Sequence, residues 1–426
     1  MVSVTSSSSA SNNLDISCPT CHSLQPPTLI PQGTSPAVHF IPASELKTSS
    51  TSCDECRLIW DALGLYKHEW GEKEMELSVE VRMVSGGPLK VIWRNDILYL
   101  ELFDRQGRFP TIGPVVEIPV HSSDEECYNT AAKWLENCVE NHTLCKSTSS
   151  DPYLPTRVLD IGLDSSRDPF LFETNGQPGK YVALSYCWGK TKVLTTTTKN
   201  ISSHKRSIPL DTLPKTLQDA VIISRRLGIP YLWVDALCII QDDGDDWAYE
   251  ASKMCDVYSL AHLTIAASNS PGSDKGIFST QKYGIAPQPL RYQDRTIYVR
   301  PNLARQHDRS SALMQIPDAA DPIVFRAWCL QEAVLANRIL RYTSNELTWE
   351  CNEQYACERP ELSRVMSPSI TAQHPYRKWN ELIMVFTERH LTKDTDKLPA
   401  LAGLARQFHM ATEAITGTKD KYLAGL

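Results

Sequence analysis

The chain has no long apolar run. Its longest, around Tyr231 to Ile240, is interrupted by Asp235 and falls well short of the ~20 apolar residues that a membrane-spanning helix needs. The first residues, MVSVTSSSSASNNLD, contain no apolar core of the kind a secretory signal carries. They read as a disordered Ser-rich tail over 1–15. Excess positive charge is missing too. A net charge of −7 and a pI near 5.9 leave no broad basic face, so nucleic acid is not an expected partner. No internal repeat divides the 426 residues. What remains is ordinary globular composition, 42% hydrophobic and 22% charged, with room for two or three domains and a cytoplasmic location. Thirteen cysteines, an odd number, in that compartment argue against a disulfide framework, which leaves metal ligation or plain burial.

Residues 16–151 read as an N-terminal cysteine-rich α+β region. Met75, Leu77, Val79, Val81 and Met83 alternate, a Gly86-Gly87-Pro88 turn follows, and Leu98, Leu100 and Leu102 alternate again. Period two over these lengths means half-buried antiparallel strands. From Pro155 the pattern changes. YVALSYCW, residues 181–188, is a short buried-strand run. Residues 214–227 form a helix with Leu217, Ala220, Val221, Ser224 and Leu227 on one face and Gly228 as its stop. YLWVDALCII is a second buried strand, Asp246 to Leu260 a helix, and HLTIAAS a third strand. Strand–helix alternation implies a parallel sheet flanked by helices. An insertion at about 270–325, with a strand at Thr296–Val299, interrupts this core. Arg326 to Asn337 then resumes as a helix, followed by the strand-like ILRYT and LTWEC. The core spans 152–360, and 361–426 reads as a helical C-terminal segment.

Several constellations carry chemistry. Cys18-x2-Cys21 and Cys53-x2-Cys56 are two CxxC pairs, able together to hold a tetrahedral structural zinc, although residues 22–52 make a longer spacer than compact zinc ribbons use. The alternative is that Cys53 and Cys56 pack with LIWDALGLY. Cys138, His142 and Cys145 stand at helical spacing; the simpler reading is a helix end with buried thiols and a capping His, and metal binding is the other. Ser185, Tyr186, Cys187, Trp188 and Gly189 end the first core strand, where open α/β sheets bind ligands. A hydroxyl and two aromatics there suit a planar ligand, or they simply close the core. No base flanks Cys187, which argues against a nucleophilic thiol. Asp235 breaks an apolar strand and must be paired, ligated or solvent-facing. Asp242, Asp243, Asp245 and Asp246 fit a solvated loop and a helix N-terminus.

The sharpest signal is Glu332. At 100° per residue, Trp328, Glu332, Leu335 and Ile339 fall within about 60° of one another. A carboxylate inside an apolar stripe is either neutralised, by Arg326 or Arg338, or opens into a cleft. Glu250, flanking the stripe of its own helix, is the runner-up acid, and Asp256 points away from it.

At these residues the chain resembles the fungal heterokaryon incompatibility (HET) domain family. The matching pieces are WLENCVENHTLC, PTRVLD, YVALSYCWG, LPKTLQDAVIISRRLGIPYLWVDALCIIQD, DWAYEASKMCDVYSLAHLTIAAS and RAWCLQEAVLANRILRY, with LTKDTDKLPALAGLA and KYLAGL downstream. They cover about residues 135 to 426 in the family's order. Many such proteins also carry the N-terminal CxxC pairs. Family members usually run on past a YLAGLW-like segment, so a stop at Leu426 points to a short or truncated member lacking a C-terminal partner-sensing domain. The resemblance implies a role in non-self recognition and programmed cell death. The HET core has been likened to the TIR domain, a flavodoxin-like fold whose enzymes cleave NAD with a glutamate on the helix after the third strand, often within WCxxE. Trp328-Cys329-Leu330-Gln331-Glu332 matches that pattern. The implied site has Glu332 as catalytic acid, with Ser185, Tyr186, Trp188, Gly189, Asp235 and Trp328 contacting NAD as substrate. Self-association and an incompatibility partner protein are the implied partners. Two other functions fit the same core: a non-enzymatic oligomerising module, and an enzyme of fungal secondary metabolism using the same cleft.

Overall fold

The computed structural model describes residues 18–24, 37–66, 78–83, 88–93, 98–106, 112–145, 152–191, 193–280, 287–301, 321–359, 363–365 and 375–416. The Ser-rich tail, Met75, Leu77, the Gly86-Gly87 pair and KYLAGL lie outside them. Among the described residues the strands are β1 (Ala37–Pro42), β2 (Ser78–Met83), β3 (Leu89–Trp93), β4 (Leu98–Phe103), β5 (Arg157–Asp160), β6 (Phe170–Glu173), β7 (Tyr181–Ser185), β8 (Tyr231–Trp233), β9 (Leu263–Ala266), β10 (Gln288–Tyr292), β11 (Arg295–Pro301), β12 (Arg338–Tyr342), β13 (Leu347–Cys351), β14 (Gln354–Cys357) and β15 (Arg364–Val365). The α-helices are α1 (Ala43–Ser49), α2 (Asp54–Leu65), α3 (Glu125–Asn141), α4 (Ile201–His204), α5 (Lys215–Arg226), α6 (Asp235–Cys238), α7 (Gly244–Leu260), α8 (Ala327–Leu335), α9 (Pro375–Thr387) and α10 (Pro399–Thr416). None of the described helices is long and apolar enough to cross a membrane.

Two units divide the chain: residues 1–115 with 287–303, and residues 116–286 with 304–426. The first is built on a six-stranded sheet in the order β1-β2-β3-β4-β11-β10. Its pairings are antiparallel, as the alternation at Val79, Val81 and Met83 requires, with Val79 opposite Trp93 and Val81 opposite Val91. Those side chains form one core with Leu46, Ile59 and Leu63 of the two N-terminal helices. The strand expected at Thr296–Val299 is real but longer, and β10 precedes it as a hairpin partner. Both join β4 in this sheet.

The second unit holds a nine-stranded sheet, β15-β14-β13-β12-β9-β7-β8-β5-β6. Only its centre is parallel: β12, β9, β7 and β8 run together, and the outer strands pair antiparallel. The sheet is therefore mixed rather than wholly parallel. The reason is the short connections of the outer strands, such as Thr343–Glu346 between β12 and β13, which allow a hairpin but not a crossover. Among the parallel strands the spatial order is second, first, third, fourth, so the winding reverses between β7 and β9.

Helix α5 forms as its caps and face dictate, with Leu217, Ala220, Val221 and Ser224 buried and Gly228 at φ +73°. The expected strand YLWVDALCII stops at Trp233. Asp235 accepts a hydrogen bond from Ala236 N at 2.7 Å, a local bond that favours a turn of helix over a longer ladder. Helix α7 starts where Asp243 accepts from the backbone N–H groups of Asp245 and Asp246. Helix α8 ends at Leu335, so Ile339, which the wheel projection placed on its stripe, belongs to β12 instead. Helix α3 puts Cys127, Tyr128, Ala131, Leu135 and Cys138 into the core of the second unit, although the sequence grouped it with the N-terminal region. Leu382 and Phe386 of α9 and Ala400, Leu401 and Leu404 of α10 enter the same core, so the described C-terminal helices are part of this unit.

Candidate functional site

Strand β7 is buried along its whole length and emerges through Tyr186, Cys187, Trp188 and Gly189. Helix α8 packs against it. At that contact the Ser185 hydroxyl donates to Glu332 Oε2. Glu332 is 6% exposed, and its carboxyl is pushed up to about 7. Burial is the main cause and the Asp235 charge adds to it; the Ser185 hydrogen bond and the Arg326 guanidinium work the other way.

Asp235 and Trp188 lie beside this pair. Trp188 Nε1 donates to Asp235 Oδ2 at 2.8 Å. Burial raises the Asp235 carboxyl despite the N–H donors of Trp188 and Ala236. The Tyr186 hydroxyl also faces Asp235, too loosely for a well-formed hydrogen bond, and burial holds it well above the usual phenol range. Burial opposes the Arg326 charge, but the neighbouring acidic groups, Glu332 and Asp235 among them, outweigh it and raise the guanidinium above its usual value. Trp188, Asp235 and Arg326 are only half-buried, so the cluster reaches solvent through them. Cys187 is pushed up to about 11 by burial and Cys329 is raised further, so neither thiol is poised as a nucleophile.

Gly189 has φ +81°, and a Cβ on it would sit 2.7 Å from Gly272 Cα. The exit loop of β7 is thereby held against the loop after β9, where Ser273 N and Oγ donate to Trp188 O at 3.2 and 3.1 Å.

Ser185, Tyr186, Trp188, Asp235 and Glu332 thus come together. Trp328 turns elsewhere: its indole N–H points to Asp396 Oδ2 at 3.4 Å. Glu250 pairs with the buried Arg157 at 3.4 Å, and Arg157 also bonds both carboxylate oxygens of Asp246 at 2.6 Å. Asp242 accepts from Thr198 N and Oγ1. Of the two arginines that could face Glu332, the structure selects Arg326. Arg338 instead bonds Cys138 Sγ, Cys145 O and His262 O. A shallow depression of about 460 Å³, lined by Asp168, Pro209, Leu210, Asp211 and Gln218, contains none of the site residues.

In the first unit, Cys18, Cys21, Cys53 and Cys56 bring their sulfurs within 4.8 Å of one another, with Cys18–Cys56 at 3.8 Å and Cys21–Cys53 at 3.6 Å. A tetrahedral zinc with Zn–S near 2.3 Å spaces its sulfurs by about 3.8 Å, so the four thiols fit that ion. The long spacer contains β1 and α1. In the second unit, Cys138, His142 and Cys145 are joined by Cys351, which no sequence spacing pointed to.

The fold and site define a mixed α/β protein with a nearly buried carboxylate at the carboxyl end of its first parallel strand. Residues 181–332 match the family described as heterokaryon incompatibility protein (HET), a span that opens on β7 and closes on Glu332. Through this segment the chain is similar to the HET family. It is similar to heterokaryon incompatibility protein 6, OR allele, of Neurospora crassa, with 31% identity over 129 residues. That alignment covers 27% of this chain and 19% of the relative, so the chain spans about a fifth of that protein's length. No solved structure matches the chain.

Proposed function

We propose that the chain acts in fungal heterokaryon incompatibility, and that it promotes cell death by hydrolysing the nicotinamide N-glycosidic bond of NAD. The observation that carries this reading is the Ser185–Glu332 pair, with Asp235, Trp188 and Arg326 beside it, at the point where the parallel strand order reverses. Ligands of open α/β sheets bind at such points. The second-first-third-fourth order, with Glu332 on the helix following the third parallel strand, supports a flavodoxin-like, TIR-like core.

In this reading NAD enters where Trp188, Asp235 and Arg326 reach solvent, and the Trp188 ring stacks on the nicotinamide. The bond between C1′ and the nicotinamide nitrogen breaks, and its electron pair leaves with nicotinamide. Ionised Glu332 stabilises the oxocarbenium-like sugar. Water, ordered by Asp235, adds its oxygen to C1′ and releases one proton to solvent. The products are ADP-ribose and nicotinamide. Ser185 and Arg326 favour the ionised form of Glu332 that this step needs, so turnover rises as pH passes through about 7. Self-association in the cytoplasm assembles the active form, and zinc on Cys18, Cys21, Cys53 and Cys56 stabilises the first unit.

Purified chain, tested dilute and at self-associating concentrations, is assayed for NAD loss beside Glu332→Gln. The proposal expects loss in the wild type and at least a 100-fold drop in the variant. Equal turnover in both removes Glu332 from the reaction. The near-complete burial of its carboxylate favours one second reading, a non-enzymatic interaction module in which the Ser185–Glu332 pair locks α8 to β7. Absence of turnover in assembled wild type selects that reading.

A further inference from the structure

Helix α3 ends at Asn141, with His142 as its C-cap, and the chain turns at once to Cys145. This turn is held against the connection between β13 and β14. Thr143 Oγ1 and Leu144 N both donate to Glu353 Oε1, and Asn352 Nδ2 donates to Leu144 O at 3.2 Å. These bonds carry Cys351, the last residue of β13, to the thiols at the end of α3. Ligand atoms of Cys138, His142, Cys145 and Cys351 then all lie within 4.8 Å of one another. His142 Nδ1 is 3.3 Å from Cys351 Sγ and 3.9 Å from Cys145 Sγ. Tetrahedral zinc bound by thiolates and an imidazole spaces its ligand atoms by roughly 3.5–3.8 Å. The three thiols are free and buried.

A second, independent observation concerns charge. Arg338 is 8% exposed, and among the described residues its guanidinium bonds a thiol and two carbonyls: Cys138 Sγ at 3.2 Å, Cys145 O at 2.6 Å and His262 O at 3.4 Å. Among the described residues no carboxylate pairs with it. A buried guanidinium without an anion is costly. Three thiolates, one neutral imidazole and Zn²⁺ sum to a charge of −1, which is the counter-charge Arg338 lacks when the thiols are neutral.

We propose that Cys138, His142, Cys145 and Cys351 bind a zinc ion, with Arg338 balancing its charge. Four protein ligands fill the tetrahedron, so the ion is structural. It pins the end of α3 to β13, joining two segments that flank the HET-matched span 181–332.

The test is metal content of the purified full chain by mass spectrometry, with the N-terminal cluster removed by Cys18→Ser and Cys21→Ser. That double variant is expected to keep one zinc per chain, and cobalt in its place to give thiolate charge-transfer absorption. A folded Cys18→Ser, Cys21→Ser chain that holds no zinc and gives no such absorption overturns the site. Should that chain fail to fold, Cys145→Ser with Cys351→Ser carries the test. This variant is expected to hold one zinc fewer than wild type, and an unchanged zinc content overturns the proposal.

Discussion

Replacing Glu332 by Gln separates a functional carboxylate from a structural one through stability rather than activity. The folded chain holds the Glu332 proton up to about pH 7, against an ordinary value of 4.5. Between those values the folded chain binds a proton that the unfolded chain has released, so stability falls as pH rises through that window. Above about pH 7 the penalty is complete, and the rise corresponds to about 3 kcal/mol. Gln keeps a carbonyl to accept the Ser185 hydroxyl and never ionises. The variant should match wild type or fall slightly below it at pH 5, then gain up to about 3 kcal/mol on it by pH 8. Urea unfolding of both proteins at several pH values reads this difference, because groups common to both largely cancel. A variant that is less stable than wild type by the same amount at every pH would show Glu332 to be a well-paired structural acid, and the reasoning would fail. A residue that is costly to stability at neutral pH fits a site kept for function.

Three further outcomes follow from the same geometry. Gly189→Ala should cost at least about 2 kcal/mol, from left-handed backbone and collision with Gly272, seen as a lower unfolding midpoint; a change under about 0.5 kcal/mol would contradict the contact. Arg157→Met strips Glu250 and Asp246 of their buried partner and should destabilise by about 3–5 kcal/mol. Adding Glu250→Gln should recover part of that loss, and strict additivity in the double-mutant cycle would refute the pairing. Chelation of metal from the N-terminal cluster should lower the stability of the first unit, and Cys18→Ser should abolish the chelator's effect there.

What the sequence revealed depended on how local the cause was. Helix α5 was legible because its cap, apolar face and terminal glycine lie within fifteen residues. Strand β7 and the alternation of β2 and β4 were legible for the same reason. The pairing of β11 with β4 was not, since a strand's own pattern does not name a partner almost two hundred residues away. Glu332 stood out as a carboxylate in an apolar stripe, yet its neighbours could not be chosen from the wheel. The helix ends at Leu335, which places Arg338 on β12 and leaves Arg326 facing the acid. Asp235 was noticed as an interruption, and its effect on the chain, ending β8 early, required its bond to Ala236 N. Cys351 carried no spacing signal at all; sheet pairing and the contacts of the 142–145 turn bring it to Cys138.

The central claim is that the Glu332 carboxylate kills cells by consuming NAD. Induced expression of wild type and of Glu332→Gln in a filamentous fungal host, with cellular NAD followed over time, tests it most directly. The account predicts that NAD falls before viability in the wild type, and that both persist in the variant at equal protein level. If the variant depletes NAD and kills as wild type does, the claim is wrong.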